Sequence, residues 1–155
     1  MIAEIIKSEI THLPFLKKII DSLELFPSEY LDGMMNDFFT NADTADSWFT
    51  MFINEDPVAL VYYAPERLTV GTINLYLIAV KKDIQGRGYG SFFLNFVENK
   101  LQELGNRILI VETSGLSEFA NTRKFYEKCD YNKEAIIRDF YKEGEDKVVY
   151  WKKLK

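Results

Sequence analysis

The part of the chain that most restricts its fold is the stretch from Leu75 to Glu112. Leu75 to Val80 is apolar without interruption, which suits a strand buried on both faces. From Gly88 to Leu104 the period becomes helical. Phe93, Val97, Leu101 and Leu104 form one stripe flanked by Phe92 and Phe96, and Gly105 fits the position just past a helix end. Arg107 to Glu112 is again a β-branched run. Strand, helix and strand in that order make a β-α-β unit, so the two strands run parallel and a right-handed crossover joins them.

The flanking segments supply the rest of a mixed sheet. Residues 2–6 read as a first strand. Thr11 is an expected N-cap with Pro14 in the first turn, and Phe15, Leu16, Ile19, Ile20 and Leu23 follow at helical spacing. A second helix is expected from Ser28 to about Phe39. Trp48–Ile53 and Val58–Tyr63 read as a hairpin about Asn54–Pro57, and the strand from Gly71 to Val80 follows. After the β-α-β unit, Ala120–Cys129 reads as a short helix. Ala135–Tyr141 and Val148–Leu154 read as a last hairpin around Gly144. The order β-α-α-β-β-β-α-β-α-β-β describes a single α/β domain spanning residues 1–155.

Composition narrows the function classes. At 155 residues and 47% hydrophobic, the chain can bury a core, and its 28% of charged residues is near the usual share for a soluble globular chain, which argues against a disordered chain, a collagen or a coiled-coil rod. One Cys excludes an internal disulfide and favours a reducing compartment; one His excludes a structural zinc cluster, so no metal is expected. A net charge of −5 argues against nucleic acid as main partner. The charge is uneven: residues 1–80 hold four Lys/Arg against twelve Asp/Glu, and residues 81–155 hold fifteen against twelve. The second half is thus the one expected to meet an anion, and the first a cation, although a solvated surface would read the same way. Met1-Ile-Ala-Glu has no basic leader region, and no apolar run approaches the roughly 20 residues of a membrane helix. The expected setting is cytoplasmic, without membrane.

Chemistry is expected at Asp83-Ile-Gln85-Gly86-Arg87-Gly88-Tyr89-Gly90-Ser91. Three alternating glycines between a buried strand and a helix let the backbone turn sharply and approach a ligand. Amides at the helix N-terminus favour an anion, and Lys81, Lys82 and Arg87 add positive charge. The geometry suits a pyrophosphate, though glycines that merely let strand and helix pack would look alike. A Walker loop lacks its Gly-Lys-Ser/Thr here. The dinucleotide spacing Gly-x-Gly-x-x-Gly is not met either.

With Gln85, Gly88 and Gly90 in the pattern Gln/Arg-x-x-Gly-x-Gly/Ala after Leu77-Ile78-Ala79-Val80, the chain resembles the GNAT superfamily of acyl-CoA N-acyltransferases. Asn121-Thr-Arg-Lys-Phe125-Tyr126-Glu127 is similar to that family's second motif. The resemblance covers the element order of the whole chain, and the first 70 residues match in that order alone. It implies a mostly antiparallel sheet whose central parallel strands splay apart, with acetyl-CoA as cosubstrate. Pantetheine would pair with the strand near Ile78, Ala79 and Val80, and a backbone N–H there would hold the developing oxyanion. The pyrophosphate would sit on the amides of Gly86, Arg87, Gly88, Tyr89, Gly90 and Ser91. Tyr126 would protonate the departing thiolate.

The same resemblance implies direct attack by a small-molecule or peptide amine, and it leaves a homodimer open. Phe119 stands where the family often has Asn, so Asn121 is the candidate for that pantetheine contact. Asp130 replaces a usual Gly and can keep its left-handed turn. Glu112 is the candidate general base, with a water chain past Asn74 or Tyr76 as the competing route. His12 is expected at the surface, Cys129 as a small packed residue, and Trp48 and Trp151 as core or edge aromatics. Two other readings remain open: a non-catalytic CoA-binding sensor or recruitment module, and a nucleotide-binding domain.

Overall fold

The computed structural model describes residues 2–155. Its elements follow the expected order: β1 (Ala3–Lys7), α1 (Leu13–Leu23), α2 (Tyr30–Thr40), β2 (Ser47–Ile53), β3 (Asp56–Pro65), β4 (Thr72–Val80), α3 (Tyr89–Glu103), β5 (Ile108–Ser114), α4 (Ala120–Lys128), β6 (Asn132–Lys142) and β7 (Glu145–Lys153). The strands form one seven-stranded sheet in the order β1-β2-β3-β4-β5-β7-β6. β4 and β5 are parallel, while β1–β2, β2–β3, β5–β7 and β6–β7 are antiparallel. Contacts group the chain into two units: residues up to Ala64 with Leu77–Val97, and Pro65–Tyr76 with Glu98–Lys155.

In the first unit, the apolar stripes of α1 and α2 bury Leu16, Ile19, Ile20, Leu31 and Met35 against Trp48, Leu60 and Ala79. Phe15 sits on the outer side of α1 and is exposed. Trp48 stacks on Tyr62 with ring centroids 4.3 Å apart.

Two expectations fail at the start of this unit. Thr11 does not cap α1; it lies inside a 3-10 turn, Ile10–His12, whose N-cap is Glu9, and α1 begins at Leu13 with Pro14 in its first turn. His12 is not at the surface but 8% exposed. Pairing of Ile6 with Thr50 carries the Thr50 hydroxyl to 3.1 Å from His12 Nδ1. The Glu9 N–H also donates to Nδ1 at 3.1 Å, so Nδ1 is an acceptor and a neutral ring carries its proton on Nε2.

In the second unit, the parallel ladder runs from Thr72 opposite Ile108 to Leu75 opposite Val111 and ends there, while β4 continues for five residues. The apolar run on β4 is therefore not buried on both faces throughout: Leu75, Ala79 and Val80 are buried, but Tyr76 is half exposed. Leu101 lies in the core; Leu104, beyond the last residue of α3, does not. Gly105 ends α3 at φ +85° as expected.

The side-chain bonds of this unit fix which face of its sheet the helices cover. The Tyr150 hydroxyl donates to Glu127 of α4 at 2.7 Å, and Lys152 donates to Glu98 of α3 at 3.0 Å. Tyr150 and Lys152 pair with Val111 and Leu109, so these four and the helices share a face. The alternate residues, Ile110 and Glu112 on β5 and Val149 and Trp151 on β7, share the other face.

Leu60 is fully buried in the first core. Leu60→Ala is expected to cost about 2–5 kcal/mol of unfolding free energy, read as a lower urea midpoint at an unchanged slope.

Candidate active site

The glycine turn belongs to the first unit. β4 ends at Val80, a 3-10 turn covers Lys82–Ile84, and α3 starts at Tyr89. Gly86 and Gly88 have φ of +79° and +88°, values that disfavour any side chain, and a Cβ on either would meet nothing within 4 Å. The turn is thus a bare backbone surface. Gly90, the third glycine, already belongs to α3.

The first helical bond runs from the Phe92 N–H to the Gly88 carbonyl, at 3.0 Å. The N–H groups of Gly88, Gly90 and Ser91 precede it and have no acceptor within the helix, where the dipole favours an anion. Arg87 and Lys82 are exposed beside the turn, and Lys81 is 3.9 Å from Asp56. A pyrophosphate fits this bare, positively flanked turn. The side chain of Gln85 faces away from such a ligand: its Nε2 donates to the Val80 carbonyl at 2.9 Å, tying the turn to the end of β4. The Ser91 hydroxyl likewise donates back, to the Gly88 carbonyl at 3.1 Å. Ala79 contributes its side chain to the α1–α2 core, so only its backbone is available to a ligand.

Tyr126 belongs to the second unit and is 4% exposed. It follows Phe125 on α4 and packs between Tyr131 and Tyr150, with ring centroids 5.9 Å and 5.7 Å away. Burial, and then the neighbouring Cys129, push its phenol far above the usual tyrosine range. The phenol is therefore a neutral O–H donor at any physiological pH. Among the described residues that hydroxyl has no hydrogen-bond partner. Asp130 closes the helix with φ +69°, the left-handed turn expected of it. Asn121 lies exposed in the first turn of α4.

Glu112 sits opposite Val149, on the face of the sheet that the helices do not cover. Tyr126 packs on Tyr150, on the helix-covered face. The two candidate catalytic groups are thus on opposite faces of the same β5–β7 pair. Glu112 is partly exposed, and its carboxylate is 3.2 Å from the Lys147 ammonium. Lys147, in turn, lies under the Phe140 ring, 3.5 Å from its centroid. Burial, with the carboxylates of Glu112 and Glu145, raises the phenol of Tyr141 as well.

Sequence reasoning missed Lys147 and Phe140, because nothing in their spacing shows that β6 and β7 bring them to Glu112. Among the described residues no group of three His, Cys, Asp or Glu side chains is placed to hold a metal ion.

Residues 16–131 match the Acetyltransferase (GNAT) family, about three-quarters of the sequence, and the chain belongs to that family. An uncharacterized N-acetyltransferase of Methanocaldococcus jannaschii is 28% identical over 102 residues, which cover 66% of this chain and 65% of that protein. The chain therefore matches just under two-thirds of that relative's length. A GNAT-family structure from Desulfovibrio desulfuricans superposes with a TM-score of 0.93 at 26% identity, over 99% of this chain and 100% of the other. An acetyltransferase of Bacillus subtilis, solved with CoA, has the same fold at 18% identity and a TM-score of 0.78, over 99% and 100% of the two chains.

The buried tyrosines make a pH prediction. Tyr126, Tyr131 and Tyr150 all have raised values, with burial the first cause in each. A raised phenol keeps its proton in the folded chain after the unfolded chain has lost it. Its stabilisation is complete below about pH 10, the ordinary tyrosine value, and falls as the pH rises above that. Urea midpoints between pH 9 and 11.5 should decline above pH 10. The decline should be shallower in Tyr126→Phe, by up to about 1.4 kcal/mol per pH unit.

Proposed function

We propose that residues 1–155 form one N-acetyltransferase domain that moves an acetyl group from acetyl-CoA to a primary amine by direct attack. One observation carries the reading: Glu112 and Tyr126 lie on opposite faces of the β5–β7 pair. Acyl transfer needs a proton acceptor where the amine arrives and a proton donor where the thiolate leaves. A base and an acid on opposite sides fit that requirement.

In this reading Glu112 takes the proton of the arriving ammonium. The amine nitrogen then forms its bond to the thioester carbon as the carbon–sulfur bond breaks. The sulfur leaves with the bonding electron pair and takes the Tyr126 proton, while the nitrogen gives up its second proton to water, and Tyr126 regains a proton from solvent as the products leave. The bare amides from Gly86 to Ser91 hold the CoA pyrophosphate. The part of β4 past its last rung with β5, from Tyr76 to Val80, offers backbone to pantetheine and an N–H to the carbonyl oxygen. Asn121 is assigned a secondary contact with pantetheine. CoA in the structure of the Bacillus subtilis neighbour supports the choice of cosubstrate. The single cysteine supports a cytoplasmic setting.

Tyr126→Phe keeps the ring packing and removes only the hydroxyl. General acid catalysis contributes roughly 10²–10⁴-fold. CoA thiolate leaves fairly well unaided, so kcat is expected to fall near the low end, with acetyl-CoA affinity little changed. Wild-type kcat in this variant, with chemistry shown to limit the rate, would remove Tyr126 from the mechanism.

Gly88→Asp puts a charged side chain where φ is +88° and where the phosphates would sit. Acetyl-CoA affinity should fall at least tenfold, about 1.4 kcal/mol. Unchanged affinity by calorimetry in the folded variant would place the ligand elsewhere. A protein that binds CoA but releases no thiol with any amine would be a sensor instead of an enzyme.

A further inference from the structure

Next to Glu112 the structure carries a polar cluster that the acetyl-transfer reading does not use. Asn74 is 2% exposed on β4. Its Nδ2 donates to Glu66 Oε1 at 2.8 Å, while its buried Oδ1 has no partner among the described residues. The Tyr76 hydroxyl reaches the same Glu66 oxygen at 3.4 Å. Among the described residues no Lys or Arg pairs with Glu66, whereas Glu112 already has Lys147. A carboxylate without a cation thus stands beside a buried amide oxygen without a donor. The oxygen needs a hydrogen donor and the carboxylate has no counter-ion, and a positively charged group with N–H donors would serve both.

The register places this cluster relative to the candidate base. Asn74 is opposite Ile110 on the parallel ladder, so both point to one face. Glu112 is two residues further along β5 on that face. With strands about 4.8 Å apart and roughly 3.3 Å per residue, the Asn74 and Glu112 Cα atoms are about 8 Å apart. We propose that Asn74 and Glu66 form a second ammonium subsite, so that the acceptor is a diamine or polyamine. One nitrogen is held by Asn74 Oδ1 and the Glu66 carboxylate while the other meets Glu112. This rests on the amine-acetylation reading above.

The test compares kcat/KM for 1,4-diaminobutane and butylamine, which differ only in the second nitrogen. The wild type should favour the diamine at least tenfold, the size of one hydrogen bond to a charged group. In Asn74→Leu and in Glu66→Gln that ratio should collapse toward one. Equal kcat/KM for the two amines in the wild type would overturn the subsite and leave acetylation standing. If no amine releases thiol, the acetylation reading fails, and calorimetry still decides the subsite. 1,4-Diaminobutane should bind the wild type at least tenfold more tightly than butylamine, and equal affinities would refute the proposal. Should Asn74→Leu fail to fold by circular dichroism, Glu66→Gln, at a half-buried position, carries the comparison alone.

Discussion

The fold depends on one pairing, the four-rung parallel ladder between Thr72–Leu75 and Ile108–Val111. Antiparallel neighbours can be joined by a tight turn, but a parallel pair needs a crossover that returns the chain to its starting end. α3 is that crossover, and its stripe of Phe93, Val97 and Leu101 is what the core receives from it. To enter α3 from β4 the backbone must reverse within a few residues. Gly86 and Gly88 make the reversal in left-handed conformations that side chains resist. The same reversal presents the first amides of the helix to solvent. The bare amides are a by-product of topology: a strand-to-helix reversal exposes the first amides of the helix, and the glycines keep them uncovered.

Strand alternation then divides the chemistry. On β5, Val111 and Glu112 point to opposite faces, and β7 repeats the division with Tyr150 and Val149. α4 docks by way of Tyr126 and Glu127 on Tyr150, which commits the phenol to one side and leaves the carboxylate on the other. A one-residue slip of β5 would bring both groups to one side and bury Glu112 under the helices. The register is held by Leu109 and Val111 in the core, so packing and the placement of the two candidate groups share one constraint. The edge strand β6 is irregular, with register shifts between Lys133 and Ala135 and between Ile137 and Lys142. Phe140 of that second irregular stretch covers Lys147.

What the sequence made legible is what periodicity and glycine record. The β-α-β unit, the element order, and the positive φ of Gly86, Gly88, Gly105 and Asp130 are local or near-local consequences of residue type. What it hid depends on pairing between distant segments. His12 reads as a surface residue until β1 and β2 pair and bring Thr50 to it. Leu75–Val80 reads as buried on both faces because hydrophobicity does not say where a ladder stops. Gln85 fits the phosphate motif by position, yet its side chain secures the turn from behind. Glu112 was legible as a carboxylate at a strand end, but its Lys147 partner was not.

Two buried side-chain atoms lack a hydrogen-bond partner among the described residues, Trp48 Nε1 and Asn74 Oδ1, and they need different explanations. An unmet buried donor or acceptor costs about 1–3 kcal/mol. Trp48 offsets that loss within its own side chain. Burying roughly 150–250 Å² of aromatic surface contributes about 4–6 kcal/mol, and the stacked Tyr62 ring adds to it. Asn74 has almost no apolar surface to bury. A valine at its position would suit a strand better and remove the orphaned oxygen altogether. Its Nδ2 bond to Glu66 does not settle the matter, because Glu66 needs no partner in water. Packing therefore does not account for Asn74, and its Oδ1 is the position on this strand that a hydrogen donor from outside the chain would complete. In the proposed subsite the completing group carries hydrogen to Oδ1, and an ammonium ion does so while bringing its charge to the neighbouring Glu66 carboxylate.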